Sequence, residues 1–177
     1  MKCLQPDTRS GIRFDDNGVC PACNYYESLR SVNWDKRKNE LEAIVEFRRI
    51  NNHSGYDCIV GVSGGKDSTR QAYFVKEVLG MNPPLVNLGY PPEQVTQRGV
   101  NNVSNMIQQG FDCISINPAP QLWRKLMRKG FFQYTNWCKS TELALFSSVP
   151  RLAIAYQIPL IWWGENAATV RRCERYG

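Results

Sequence analysis

The chain has 177 residues, 42% of them hydrophobic and 21% charged, which is enough for one well-filled core plus a small appendage. Lys and Arg number 22 against 16 Asp and Glu, a net charge of +6, and basic clusters stand at Lys36-Arg37-Lys38, Arg124-Lys125 and Arg128-Lys129; such a balance suits anionic partners from ATP and sugar nucleotides to RNA without choosing among them. No apolar run approaches the length of a membrane span, the N-terminus lacks an apolar signal core, and the seven cysteines argue against a secreted disulfide framework, so the expectation is a cytoplasmic protein with reduced thiols and no membrane insertion.

Residues 1–30 are rich in Gly, Pro, Asp and Cys with little periodicity, and read as a loop-built module held by something other than a core. A helix is expected from Trp34 to Ile50, and Asn51 to Gly55 reads as a linker, so residues 31–55 form a helix and linker. From Tyr56 short apolar runs alternate with helix-length amphipathic ones. Strands are expected at Asp57–Val62, Leu85–Leu88, Asp112–Ile116 and Leu160–Trp163. Helices are expected after the first strand up to Gly80, across Val95–Gln109, and over Gln121–Lys129 and Thr141–Tyr156. This alternation predicts an α/β fold, a Rossmann-like parallel sheet covered on both faces by helices, occupying residues 56–166. Ligands of such sheets bind beyond the carboxyl ends of the strands, where Ser63, Asn87-Leu88-Gly89 and Gly164-Glu165-Asn166 all fall.

The run Ser63-Gly64-Gly65-Lys66-Asp67-Ser68 follows the apolar stretch Cys58-Ile59-Val60-Gly61-Val62 directly. At a strand-to-helix junction the unpaired backbone N–H groups and the positive helix end hold phosphate, glycines let the main chain approach oxygen atoms, and Lys66 adds a point charge. The run is not a Walker A motif, whose required Gly and hydroxyl positions hold Val60 and Asp67 here, and no Gly-x-Gly-x-x-Gly spacing can be read through Gly61, Gly64 and Gly65. A lone Gly-Gly would be read as a turn beside a solvated lysine; all six residues in order after a buried-type strand favour phosphate. The order resembles the signature of the PP-loop ATP pyrophosphatases (adenine nucleotide α-hydrolase-like folds), and that resemblance implies AMP-forming activation.

Other residues carry weaker signals. Cys20-Pro21-Ala22-Cys23 is a close cysteine pair in a Gly/Pro-flanked loop, with Cys3 upstream. Three sulfurs fall short of the four ligands of a tetrahedral zinc site, yet a coreless module of this size needs a staple, so Cys3, Cys20 and Cys23 are the candidate zinc ligands of a zinc-ribbon-like module; His53 could serve as the fourth ligand, although a lone linker histidine is more often solvated. Cys58 and Cys113 read as buried small hydrophobes and Cys138, beside Lys139, as structural rather than reactive. Glu165 and Asn166 offer a carboxylate and an amide at the ligand edge, equally readable as a polar strand end facing water. Trp123 to Phe132 mixes aromatic and basic residues, which suits base stacking or a packed amphipathic helix with Trp123, Leu126 and Met127 inward.

Several separate stretches in one order, Cys3 to Arg9, Gly11 to Asp15, Gly18 to Cys23, the Ser63 loop, Asn136 to Glu142 and Trp163 to Asn166, look like the N-acetyl sugar amidotransferases of lipopolysaccharide and surface-polysaccharide assembly. The resemblance spans residues 1–166. It implies conversion of an acetamido group on a nucleotide-linked sugar to an acetamidino group, with ATP and Mg2+, and with ammonia supplied by glutaminase and cyclase-like partners similar to the subunits of imidazole glycerol phosphate synthase. It also implies that Ser63, Gly64, Gly65, Lys66 and Ser68 bind the departing pyrophosphate, that Asp67 helps place magnesium, and that Glu165 and Asn166 belong to the nucleotide or magnesium site. Three departures stand against it: the first cysteine pair is reduced to Cys3, the family's chains are considerably longer, and residues 167–177 no longer follow the pattern. The expectation is therefore an incomplete nucleotide domain with a divergent tail. The alternatives are a tRNA thiolation enzyme, which would need a catalytic thiol pair with only Cys138 as candidate and for which nucleic acid is the less favoured partner, and a non-catalytic ATP-binding remnant.

Overall fold

The computed structural model describes residues 3–8 and 12–164. The chain divides into two compact units, Met1–Ile44 and Val45–Gly177, and the division falls within one helix, α2 (Trp34–Asn51).

In the second unit the apolar run before the glycine loop forms strand β1 (Ile59–Gly61). Cys58, Ile59 and Val60 are fully enclosed, as a strand flanked on both edges and both faces must be. After the loop come α3 (Lys66–Tyr73), β2 (Leu85–Leu88), α4 (Gln97–Gln108), β3 (Cys113–Ile116), the helical pair α5 (Pro120–Tyr134) and α6 (Lys139–Ala155), and β4 (Ile161–Trp162). The four strands are parallel in the order β3-β2-β1-β4, with Val60 opposite Leu85 and Ile59 opposite Ile161. The expected α/β architecture is the one observed.

That order fixes where the helices lie. The chain steps one way from β1 to β3, then crosses to the far side of β1, so right-handed crossovers put α3 and α4 on one face and α5 and α6 on the other. The alternation of side chains along β1 serves both layers. Val60 and Val62 pack with Ala72 of α3, Leu85, Met106 of α4 and Phe111; Ile59 packs with Val86, Val149 and Ala153 of α6, and Ile158.

Several element limits differ from the sequence reading. The helix after the loop ends at Val78, short of Gly80, and its last turn widens to a π-helical turn over Phe74–Val78, closed by Leu79 N–H donating to the Phe74 carbonyl at 3.1 Å. Helix α5 runs on through Gly130 to Tyr134, because Gly130 is buried where α5 meets α6 and a Cβ there would stand 2.6 Å from Ser140 Oγ. Asp57 is not a strand residue: its carboxylate is ion-paired with Arg48 and accepts from Asn52 Nδ2 at 2.9 Å and from the Asn82 N–H at 2.7 Å, which ties the entry of β1 to α2 and to the turn before β2.

In the first unit, residues 21–28 are helical rather than loop: α1 (Pro21–Ser28) starts at the cysteine pair, with Pro21 at its first position and Cys20 as its N-cap. The turn before it is held by Asp15, whose Oδ1 accepts the N–H groups of Asn17 and Val19, both at 2.9 Å, and whose Oδ2 accepts from Asn24 Nδ2 at 2.7 Å. Among the described residues, no helix is long and apolar enough to cross a membrane.

Candidate active site

The loop between β1 and α3 lies at the carboxyl edge of the sheet, beside the point where the strand order reverses between β1 and β4. Gly64 makes the turn. Its φ is +74°, and a Cβ on it would sit 2.9 Å from the Asn102 Cβ of α4, so the turn is pressed against that helix with no room for a side chain. Gly65 is the N-cap of α3 with an extended backbone (φ −75°, ψ 165°) and no side chain capping the first turn. The first N–H groups of α3 therefore have no side-chain cap and form the positive end of the helix dipole.

Ser63, Gly65, Lys66, Asp67 and Ser68 line an open cavity of about 400 Å³. Gly64 is absent from that lining because it faces α4, so its contribution is the turn itself. The rest of the wall comes from Gly61 and Val62 just before the loop and from distant sequence: Val86 and Leu88 of β2, Leu145, Ser148 and Val149 from α6, and Trp163 with Gly164 after β4. One side thus presents donors and a cation, and the other is largely apolar. This division suits a nucleotide, whose phosphates want charge and N–H groups and whose base wants apolar surface.

Two contacts hold that wall. Gln71 of α3 donates from Nε2 to the Trp163 carbonyl at 2.7 Å, while its Oε1 is buried with no protein partner. Trp163 in turn covers Gly61, where a Cβ would come within 3.1 Å of the indole, so β1 must end without a side chain for the ring to lie there. Asn87 at the end of β2 donates to the Val62 carbonyl at 3.0 Å, and Ser148 turns its hydroxyl back to the Ala144 carbonyl at 2.6 Å. Sequence reasoning missed Gln71, Ser148, Val149 and the ring of Trp163; a polar Gln71 one turn beyond Asp67 was the available signal. Glu165 and Asn166 lie outside the described residues.

A triphosphate fits the donor set of the loop, and magnesium fits the hard oxygens of Asp67, Ser63 and Ser68, all of which line the cavity. Cys138 is half-buried as the N-cap of α6 and is not among the residues of the cavity wall. Cys58 and Cys113 are packed among apolar side chains, and burial pushes the Cys58 thiol up to about 12.

In the first unit, the sulfurs of Cys3, Cys20 and Cys23 all lie within 4.8 Å of one another. Cys3 Sγ is 3.3 Å from Cys20 Sγ, and Cys20 Sγ accepts the Cys23 N–H at 3.4 Å. That N–H bond, with the Cys3 thiol, holds Cys20 below its ordinary value, while the bond to Cys20 pushes Cys23 up to about 11. Zinc bound tetrahedrally by thiolates at about 2.3 Å places sulfurs about 3.8 Å apart, so a small adjustment that opens the Cys3–Cys20 pair brings these three onto an ion. The cysteine residues fit zinc.

No family model matches the chain, and no curated protein matches it. Among solved structures it is similar to an NH3-dependent NAD synthetase from Campylobacter jejuni, solved with a nitrate ion. The TM-score is 0.51 and the identity 14%, over 73% of this chain and 56% of that one. The likeness is one of fold, a parallel sheet with helices on both faces. A predicted subunit of tRNA methyltransferase from Methanocaldococcus jannaschii matches at 18% identity over 68% of this chain and 57% of that one, but its TM-score of 0.46 carries no argument. The chain spans little more than half the length of either structure.

Proposed function

We propose that the second unit binds ATP with its triphosphate on the Ser63–Ser68 loop and supports AMP-forming activation of an acetamido group on a nucleotide-linked sugar, in surface-polysaccharide assembly. The observation that carries the reading is the loop itself: free first-turn N–H groups, Lys66 and two hydroxyls line one side of a cavity whose other side is apolar. The likeness in fold to the NAD synthetase and the resemblance of the loop to the PP-loop signature support it.

In this chemistry the amide oxygen attacks the α-phosphorus and pyrophosphate leaves, forming an O-adenylated imidate. Ammonia then adds to the imidate carbon, the C–O bond breaks, and AMP departs carrying the former amide oxygen, so acetamide, ATP and ammonia become acetamidine, AMP and pyrophosphate. Lys66 and the N–H groups of α3 take up the charge that develops on the leaving pyrophosphate, and Ser63 and Ser68 orient its oxygens. Asp67 is the carboxylate that would hold magnesium, which when bound neutralises phosphate charge. The apolar wall of Val62, Leu88 and Trp163 seats the base and limits water near the adenylate. Ammonia is provided by glutaminase and cyclase-like partner subunits.

The test is ATP turnover by the purified chain with magnesium and ammonium, separating AMP plus pyrophosphate from ADP plus phosphate, with a diacetamido sugar nucleotide or tRNA added. Sugar-dependent AMP, reduced by about 100-fold or more in Lys66→Ala, is the expected result. AMP formation that depends on tRNA, or ATP binding with no turnover under either condition, overturns the proposal. The tRNA thiolation reading is weakened by Cys138, which stands apart from the cavity wall.

A further inference from the structure

The cysteine cluster is more specific than a generic zinc staple. Its three sulfurs lie within 4.8 Å of one another, and among the described residues no fourth Cys, His, Asp or Glu donor joins the set. All three cysteines also line one groove, of about 700 Å³, whose other walls include Leu4, Gln5, Tyr26 and Glu27. A closed structural zinc site surrounds its ion with four protein ligands, whereas a site with three leaves one position for an outside donor. Here all three cysteines line the groove, so a fourth ligand beside them has space that a side chain would fill in a closed site.

We propose that Cys3, Cys20 and Cys23 bind one zinc ion as three thiolates and leave its fourth position exchangeable, open to the groove and taken by a neutral donor, water at rest and an imidazole when one is offered. Charge selects the donor class. Three thiolates on a divalent ion leave a net charge of −1. A fourth thiolate would bring the centre to −2, whereas a neutral nitrogen or oxygen donor adds no charge. The Cys23 N–H bond to Cys20 Sγ supplies the outer support that a thiolate ligand needs. Binding releases the three thiol protons to solvent, and imidazole replaces the coordinated water one for one. The proposal stands whether or not the loop of the second unit turns over ATP.

The experiment uses the full chain loaded with Co2+ in place of zinc, titrated with imidazole while metal content and the visible absorption bands are followed. One ion per chain with thiolate-to-metal absorption, and ligand-field bands that shift saturably as imidazole rises, are expected. Cys3→Ser, Cys20→Ser and Cys23→Ser should each weaken metal binding by more than the roughly 10–100-fold cost of an outer-shell change, with far-UV circular dichroism reporting the fold, while Cys138→Ser should retain one ion. Bands unmoved by imidazole at full metal occupancy would show a fourth protein donor and overturn the open site. Failure to retain one ion per chain, or unchanged retention in Cys3→Ser, overturns it equally.

Discussion

Gly64 and Gly65 are adjacent and chemically identical, yet alanine at the two positions should have very different consequences. At Gly64 the backbone has a φ of +74°, and the left-handed conformation costs a residue with a Cβ about 1–2 kcal/mol. The new methyl would also stand 2.9 Å from Asn102 Cβ, 3.4 Å from Val103 Cγ2 and 3.4 Å from the Val103 nitrogen. None of these is the free end of a flexible side chain, so α4 or the loop must shift, at about 1–3 kcal/mol. The sum is about 2–5 kcal/mol, or a fall of about 4–20 °C in the thermal midpoint for a chain of this size. At Gly65 the backbone is already extended at φ −75°, and a Cβ would meet only Ser63 Oγ at 3.4 Å. Losing a tolerated glycine N-cap there costs about 0.5–1 kcal/mol. Differential scanning calorimetry of Gly64→Ala and Gly65→Ala without nucleotide measures the contrast. If Gly65→Ala destabilises as much as Gly64→Ala, the assignment of the turn to Gly64 is wrong.

Arg48→Met should destabilise the second unit by about 3–5 kcal/mol, because it strands the Asp57 carboxylate in a site where that side chain is 10% exposed. Combining it with Asp57→Asn should recover part of the loss in urea titrations, and additive losses would deny the coupling. Stability should also fall in alkali. Cys58 ionises at about 12 in the folded chain against an ordinary value of 9.0, so the unfolded chain sheds that proton first and stability is lost as pH rises from about 9 towards 12. The limiting slope from this thiol is about 1.4 kcal/mol per pH unit, and a Cys58→Ala variant whose urea midpoint falls just as steeply over that range would refute the assignment.

The loop was legible because its chemistry is contiguous: Ser63 to Ser68 follow an apolar strand, and a strand, a tight turn and a helix start are local events that neighbouring residues decide. The cysteine set was legible for a similar reason, although the helix α1 that begins at Cys20 was hidden in a stretch with little apolar periodicity. The cavity wall was not legible. Gln71 meets the Trp163 carbonyl across 92 positions of sequence, and Ser148 and Val149 reach the same cavity only because α6 lies on the face of β1 opposite α3.

The sequence by itself determined the order of strands and helices, the fold class and the place of the glycine loop between β1 and α3, since hydrophobic periodicity and turn chemistry act over a few residues. The tertiary structure alone decided which glycine makes the turn, which residues face the Ser63–Ser68 loop across the cavity, and that Arg48 and Asp57 are bound to each other. Those are matters of distance between segments, and distance is set by the sheet order β3-β2-β1-β4 and by the packing of both helical layers onto β1.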